Sequence, residues 1–396
     1  MRRVRVYPTL FAFGALAASA AVGCTSSSGA TPNAGAGGRS SGTGGIGANG
    51  GSGPGGAAGA SAQTCVPPVD KDHPAEKLSQ TGCMDSARPT EIGPTVVRYE
   101  VNSPLWSDKA DKQRGMALPP GKQIHVLDCA AEPAACSHGP ADTGKWVLPV
   151  GTVMVKSFLF DGKLVETRLF VHFPTEWAGF SYQWNEAQTE ATLVPDEERD
   201  AMFNTGVQTV AWHYPSRFNC TKCHTPTAGW TLGPETRQMN RVVGGMNQID
   251  RLKALGAFEN PPAVPYAAAF ASPYPSGSNP GGSVEERARS YLHANCAFCH
   301  RPDGDFADLD LRYDIPLKDT HACGVQPEKG DLDVAGAVDL APGKPMTSVL
   351  WLRMNTPRDP GSGRTARMPQ IATYVIDQAA VDLIGQWISS IPSCPM

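Results

Sequence analysis

The chain has no strong charge bias: 34 Lys and Arg stand against 38 Asp and Glu, a net charge of -4. A nucleic-acid partner usually calls for a clustered basic excess, so none is expected. Charged residues are sparse, at 18%, while 41% of residues are hydrophobic. That balance excludes a disordered acidic protein. After the first 24 residues, no run has the length and apolarity of a transmembrane helix. What the chain does have is eleven Cys, 42 Gly and 35 Pro in 396 residues, enough length for two or three domains.

The N-terminus reads as an export signal. Arg2, Arg3 and Arg5 precede an apolar stretch, Leu10 to Val22, that is too short to span a bilayer stably. Ala21-Val22-Gly23-Cys24 resembles a bacterial lipoprotein box, with Cys24 as the acylated residue, although such boxes prefer Leu where Ala21 stands. Ala18-Ser19-Ala20 offers an ordinary cleavage site instead. Residues 25–64 are nearly all Gly, Ala, Ser, Thr, Pro and Asn, a composition that suits a flexible tether. The expected product is lipid-anchored, in the periplasm or at the outer membrane, touching the membrane through its N-terminal lipid only.

The cysteines divide by role. Cys24 goes to lipid, and four belong to Cys220-Thr-Lys-Cys223-His224 and Cys296-Ala-Phe-Cys299-His300. Six remain, and an even remainder in an exported chain points to disulfides, with 15 pairings by counting alone. Proximity favours Cys65–Cys83 and Cys129–Cys136. Elimination leaves Cys323–Cys394.

The hydrophobic pattern predicts an α+β multidomain chain. Residues 65–204 read as a β-rich, sandwich-like domain, with strands at 146–150, 152–160, 164–172, 180–184 and 190–194. Asp161-Gly162 is a hairpin signal between two of them. Its most conspicuous loop, 102–109, has no evident physical account beyond a capped turn. Residues 205–282 form a first motif segment, with a helix over 246–256. The whole region from 205 on, which carries both motifs, is expected to be mostly α-helical, and residues 283–396 run from a capping-box start at Ser283 to a helix over 376–388.

Two thiols three positions apart lie about one helical turn from each other and match the two vinyl groups of a haem. The adjacent His then serves as the proximal iron ligand. Two copies of that pattern make coincidence a poor account. A zinc site from two CxxC pairs is the main competitor, but 76 residues between the pairs is far beyond a zinc-ribbon spacing. A thioredoxin-like site needs no trailing His. Two covalently bound haem c groups are therefore expected, on Cys220, Cys223 and His224 and on Cys296, Cys299 and His300. For the second iron, Met368 in Arg367-Met368-Pro369 is the candidate distal ligand, with Met346 and Met354 as competitors. For the first, Met239, Met246, His213 and His172 all remain open.

Tyr291-Leu-His-Ala-Asn-Cys-Ala-Phe-Cys-His-Arg-Pro-Asp-Gly304 resembles the haem-binding stretch of class-I cytochrome c domains. More broadly, residues 97 to 392 resemble a family of exported bacterial dihaem c-type cytochromes. The matching segments include Asn102-Ser-Pro-Leu-Trp-Ser-Asp, Glu166-Thr-Arg, Tyr182-Gln-Trp-Asn, Tyr214-Pro-Ser-Arg and the final Met-Pro…Trp-Ile. The resemblance implies proximal His224 and His300 and distal Met368. It argues against Met239, where the family pattern carries Leu.

Three functions compete at this point. The leading one is an electron carrier serving a redox protein partner, such as a periplasmic dehydrogenase, with no catalytic residue of its own. The second is a peroxidase-like oxidoreductase with an open distal site at the first haem. The third is a polymer-binding β domain with auxiliary haems, using Trp106, Trp177, Trp184 and Trp230 as platforms.

Overall fold

A computed structural model describes residues 64–68, 70–275, 281–357, 367–370 and 373–395. The signal stretch, Cys24 and the tether to residue 63 lie outside the described residues. Alternating β-branched and aromatic residues build a six-stranded antiparallel sheet, in the order β1-β2-β5-β6-β7-β8. Its strands are β1 (Val97–Arg98), β2 (Asp111–Ala117), β5 (Val153–Phe160), β6 (Lys163–His172), β7 (Trp177–Trp184) and β8 (Ala191–Leu193). Two-residue strands β3 (His125–Val126) and β4 (Trp146–Val147) pair separately. So do β11 (Val242–Val243) and β12 (Met246–Asn247). Asp161 and Gly162 close the β5–β6 hairpin with φ of 51° and 76°, the backbone that an Asp-Gly turn supplies.

The sheet is a middle layer, apolar on both faces. Val153, Val155, Leu169, Val171, Phe180 and Tyr182 fill one face. On the other, Met116, Met154 and Phe170 pack with Ile249, Leu252 and Phe258. The hairpin of β9 (Arg199–Asn204) and β10 (Thr209–Tyr214) covers the end of the sheet, where Trp212 and Tyr214 join Phe158, Phe160 and Val165. The expected sandwich is thus one large sheet with a hairpin laid against it.

After residue 205 the helices are short. They are α1 (Arg217–Thr221), α2 (Thr236–Met239), α3 (Gln248–Ala254), α4 (Val284–Asn295), α5 (Val349–Met354) and α6 (Gln378–Ser390). The chain is an α+β mixture, but the mostly helical character expected for its second half does not form among the described residues. Pro-, Gly- and Asp-rich stretches between α4 and α5 supply turns and single 3-10 turns instead. The Ser283 capping box forms: Ser283 Oγ accepts from Glu286 N at 3.2 Å, and the Glu286 carboxylate accepts from Ser283 N at 2.8 Å. α4 and α6 pack through Tyr291, Leu292, Leu383, Ile384 and Trp387. All three expected disulfides, Cys65–Cys83, Cys129–Cys136 and Cys323–Cys394, are present. No helix among the described residues is long and apolar enough to cross a membrane.

Candidate functional site

Both CxxCH motifs fold into the same turn. In the first, the Cys220 carbonyl accepts from Cys223 N at 3.2 Å and from His224 N at 2.9 Å. In the second, the Cys296 carbonyl accepts from Cys299 N at 3.1 Å and from His300 N at 3.0 Å. Ser216 caps α1 ahead of the first motif, and α4 runs directly into the second. None of the four motif cysteines is in a disulfide.

The two turns abut. Cys299 Sγ donates to the carbonyl of Lys222, within the first motif, at 3.8 Å, and the neighbouring Cys223 and Cys299 thiols push one another apart, Cys223 down and Cys299 up. Alongside, Thr227 Oγ1 donates to the Asp303 carbonyl at 3.2 Å. Burial pushes the outer thiols up, Cys220 to about 11 and Cys296 to about 12. Seventy-six residues of sequence separation are closed by the fold.

His224 is held by one nitrogen. Its Nδ1 donates to the Trp230 carbonyl at 2.6 Å, which leaves Nε2 as the free ligating atom. Burial, with Lys156 and Arg168 nearby, pushes His224 down to about 4, so it is neutral at physiological pH, the form that binds a metal. At His300 the backbone of Phe306 opposes a downward shift caused chiefly by burial. Its ring stacks on Phe306 at 5.5 Å.

The sheet face beneath the first motif combines a close helix approach with a row of cations. α1 sits so close to β7 that a Cβ on Gly179 would lie 2.7 Å from Cys220 Sγ. Phe170 lies in register with Gly179, and its ring centroid is 4.2 Å from that of His224. Two residues along, Arg114, Lys156 and Arg168 stand abreast on β2, β5 and β6. Like charges opposite one another in a sheet repel, so this row favours a negative group beside it. Arg168 has Glu166 at 2.8 Å and Arg114 has Glu100 at 3.6 Å. Lys156 has no ion pair among the described residues and is pushed well below the usual lysine range, first by burial and then by its cationic neighbours. The face beside the first motif is thus cationic, with Lys156 as its one member lacking a carboxylate partner among the described residues.

The candidate distal ligands separate by position. Met368 N donates to the Arg353 carbonyl at 3.0 Å, tying its segment to α5, and the Arg353 side chain acts electrostatically on His300. Met239 is fully buried in the apolar cluster that also contains Phe170. His172 stacks on Trp177 at 4.3 Å, and Trp177 stacks on Phe170 at 4.9 Å. Two aromatic rings thus stand between His172 and His224. His213 Nδ1 bonds Asp200 at 2.9 Å, while its Nε2 is buried without a partner. Met246 and Met346 are exposed, and Met354 is buried with α6.

The 102–109 loop has a function that its sequence did not disclose. It clasps the elements flanking the second motif. Ser103 Oγ donates to the Ser290 carbonyl at 2.9 Å, and Trp106 N donates to Asn295 Oδ1 at 2.7 Å. Trp106 Nε1 donates to the Val375 carbonyl at 3.0 Å. Asp108 accepts from the backbone N–H groups of Tyr374 and Val375 at 2.8–2.9 Å. Replacing Asp108 with Ala should therefore lower stability by about 2–3 kcal/mol in urea unfolding, with Asp108→Asn losing less. Equal losses for the two variants would show that the charge on Asp108 is immaterial.

The tryptophans proposed as polymer platforms are mostly internal. Trp177 and Trp184 are buried in the core, and Trp106 is tied to Val375. Phe170, Lys156, Arg168 and Arg301 were not singled out as site residues by sequence reasoning; Arg301 carried a signal in its place directly after His300, and Arg168 in the matching segment Glu166-Thr-Arg. Comparison with family models, curated proteins and solved structures finds no match.

Proposed function

We propose that the protein is a dihaem c-type electron-transfer protein, carrying one haem on Cys220, Cys223 and His224 and one on Cys296, Cys299 and His300. The observation that carries this reading is the contact between two CxxCH turns with the same hydrogen bonds, made where Cys299 Sγ meets the Lys222 carbonyl. Centres held on abutting turns suit passage of an electron from one to the other. Haem c supplies reversible one-electron chemistry at each motif. The thiols anchor it, and His224 and His300 offer imidazole nitrogens to the iron. Trp230 orients His224, and Phe170 shields it from water. In this reading residues 283–396 act as a class-I cytochrome c domain, with α4 and α6 as its packed pair and Met368 as the distal ligand. Export and lipid attachment through Cys24 belong to the same proposal, as does a redox protein partner. The zinc alternative has less support: among the described residues, no three His, Cys, Asp or Glu groups converge to hold a metal.

The test is the full-length protein made in a host that attaches haem c. Its intact mass should rise by about two haem units, one of them lost in Cys220→Ala and the other in Cys296→Ala. Both haems should accept and return electrons from a soluble one-electron mediator without turning over peroxide. A protein that binds zinc and no haem would sink the proposal.

A further inference from the structure

A cavity of about 560 Å³, in the size range of small-ligand sites, lies between the two motif segments and the sheet. Trp146, Trp177 and Trp230 give it flat apolar walls, and Phe298 and Arg301 of the second motif line it as well. Its carboxylates are already matched. Glu235 meets His293 at 3.0 Å, Glu132 meets His125 at 2.9 Å, and Asp142 meets Lys145 at 2.5 Å. His138 lies 3.4 Å from Asp142 and 3.3 Å from Asp303, and Arg312 pairs with Asp310 at 2.7 Å.

Arg301 is the exception. It is 3% exposed, forms no ion pair among the described residues, and its Nε and Nη2 atoms are buried without a hydrogen-bond partner. Asp142, Glu235 and Asp310 act on it only through space, so burial still pushes it down, and a buried guanidinium without hydrogen-bond acceptors is costly. Its planar fork matches a carboxylate with two parallel hydrogen bonds.

We propose that this cavity binds a planar organic carboxylate, gripped by Arg301 and flanked by the tryptophans. Two sources carry that chemistry: a propionate of a haem held at one of the motifs, which rests on the function proposed above, or a free aromatic acid.

The experiment uses the full-length holoprotein with Arg301→Gln and Arg301→Lys, redox titration of each haem, and calorimetric titration with benzoate, with acetate as control. A haem propionate on Arg301 predicts that Arg301→Gln lowers the midpoint potential of one haem while Arg301→Lys largely preserves it, with no benzoate bound. A free acid predicts saturable benzoate binding, stronger than acetate, weakened about tenfold or more in Arg301→Gln, with both potentials unmoved. Unchanged potentials together with no benzoate binding overturn the proposal. If the protein carries no haem, the function proposed above fails, and benzoate binding alone decides the cavity. If Arg301→Gln does not fold, Arg301→Met, which removes the charge at similar volume, takes its place in both titrations.

Discussion

Glu166→Ala is expected to lose about 3 kcal/mol of stability or more, a large effect for one side chain in a sheet. Glu166 is fully buried. It accepts from Arg168 Nε and Nη2 at 2.8 Å each and from Trp212 Nε1 at 2.9 Å. Removing the carboxylate strands a guanidinium and an indole N–H in the apolar layer between the sheet and the β9–β10 hairpin. The Arg168 side chain is 27% exposed, so water can recover part of the loss, and the lower end of the usual 3–5 kcal/mol range applies. Glu166→Gln keeps an acceptor for Trp212 and should lose less. The paired change Glu166→Leu with Arg168→Met removes both charges and their desolvation cost and should restore part of the stability, the Trp212 N–H still lacking its acceptor. Urea unfolding of the three variants checks the order. A loss below about 1 kcal/mol for Glu166→Ala would mean that the pair behaves as a surface salt bridge. The effect reaches the first motif, because Arg168 also acts electrostatically on Cys220 and Cys223.

The second large effect is expected from the Cys323–Cys394 bridge. It closes a loop of 71 residues that contains α5 and α6 and the segment carrying Met368. In the chain-entropy account, a loop of that length restricts the unfolded state by about 4 kcal/mol. The Cys323→Ser/Cys394→Ser protein should be less stable by roughly that amount. The Cys65–Cys83 loop, at 18 residues, should give about 3 kcal/mol when removed in the same way. Unfolding midpoints for the two double variants test the ranking. If the shorter loop proves the more important, local packing rather than chain entropy sets the contribution of these bridges.

Much of the architecture was legible because it is local. The Asp161-Gly162 turn, the Ser283 capping box and the CxxCH turns each depend on a handful of neighbouring residues. The disulfides were legible for another reason: after two motifs are set aside, few cysteines remain. The helix expected over 246–256 was nearly right, but Met246 and Asn247 belong to β12, and Asn247 caps the helix that follows. Composition did not reveal how short the later helices are.

Long-range apposition was not legible. Strand alternation puts Phe170 and Arg168 on one face of β6, yet nothing in that pattern says that α1 will land above them. The nearness of Cys223 to Cys299 depends on how two irregular segments dock, and local preference carries no information about it. The 102–109 loop was conspicuous in sequence, but its partners lie nearly 190 and 270 positions away, at Asn295 and Val375.

That loop has a consequence for transplantation. A fragment beginning at residue 205 would carry both CxxCH motifs and look self-sufficient on paper. It would also leave the Val375 carbonyl, the Asn295 amide and the Tyr374 and Val375 N–H groups without the partners that residues 102–109 supply. Any chimera that borrows the motif-bearing half should borrow the sheet with it.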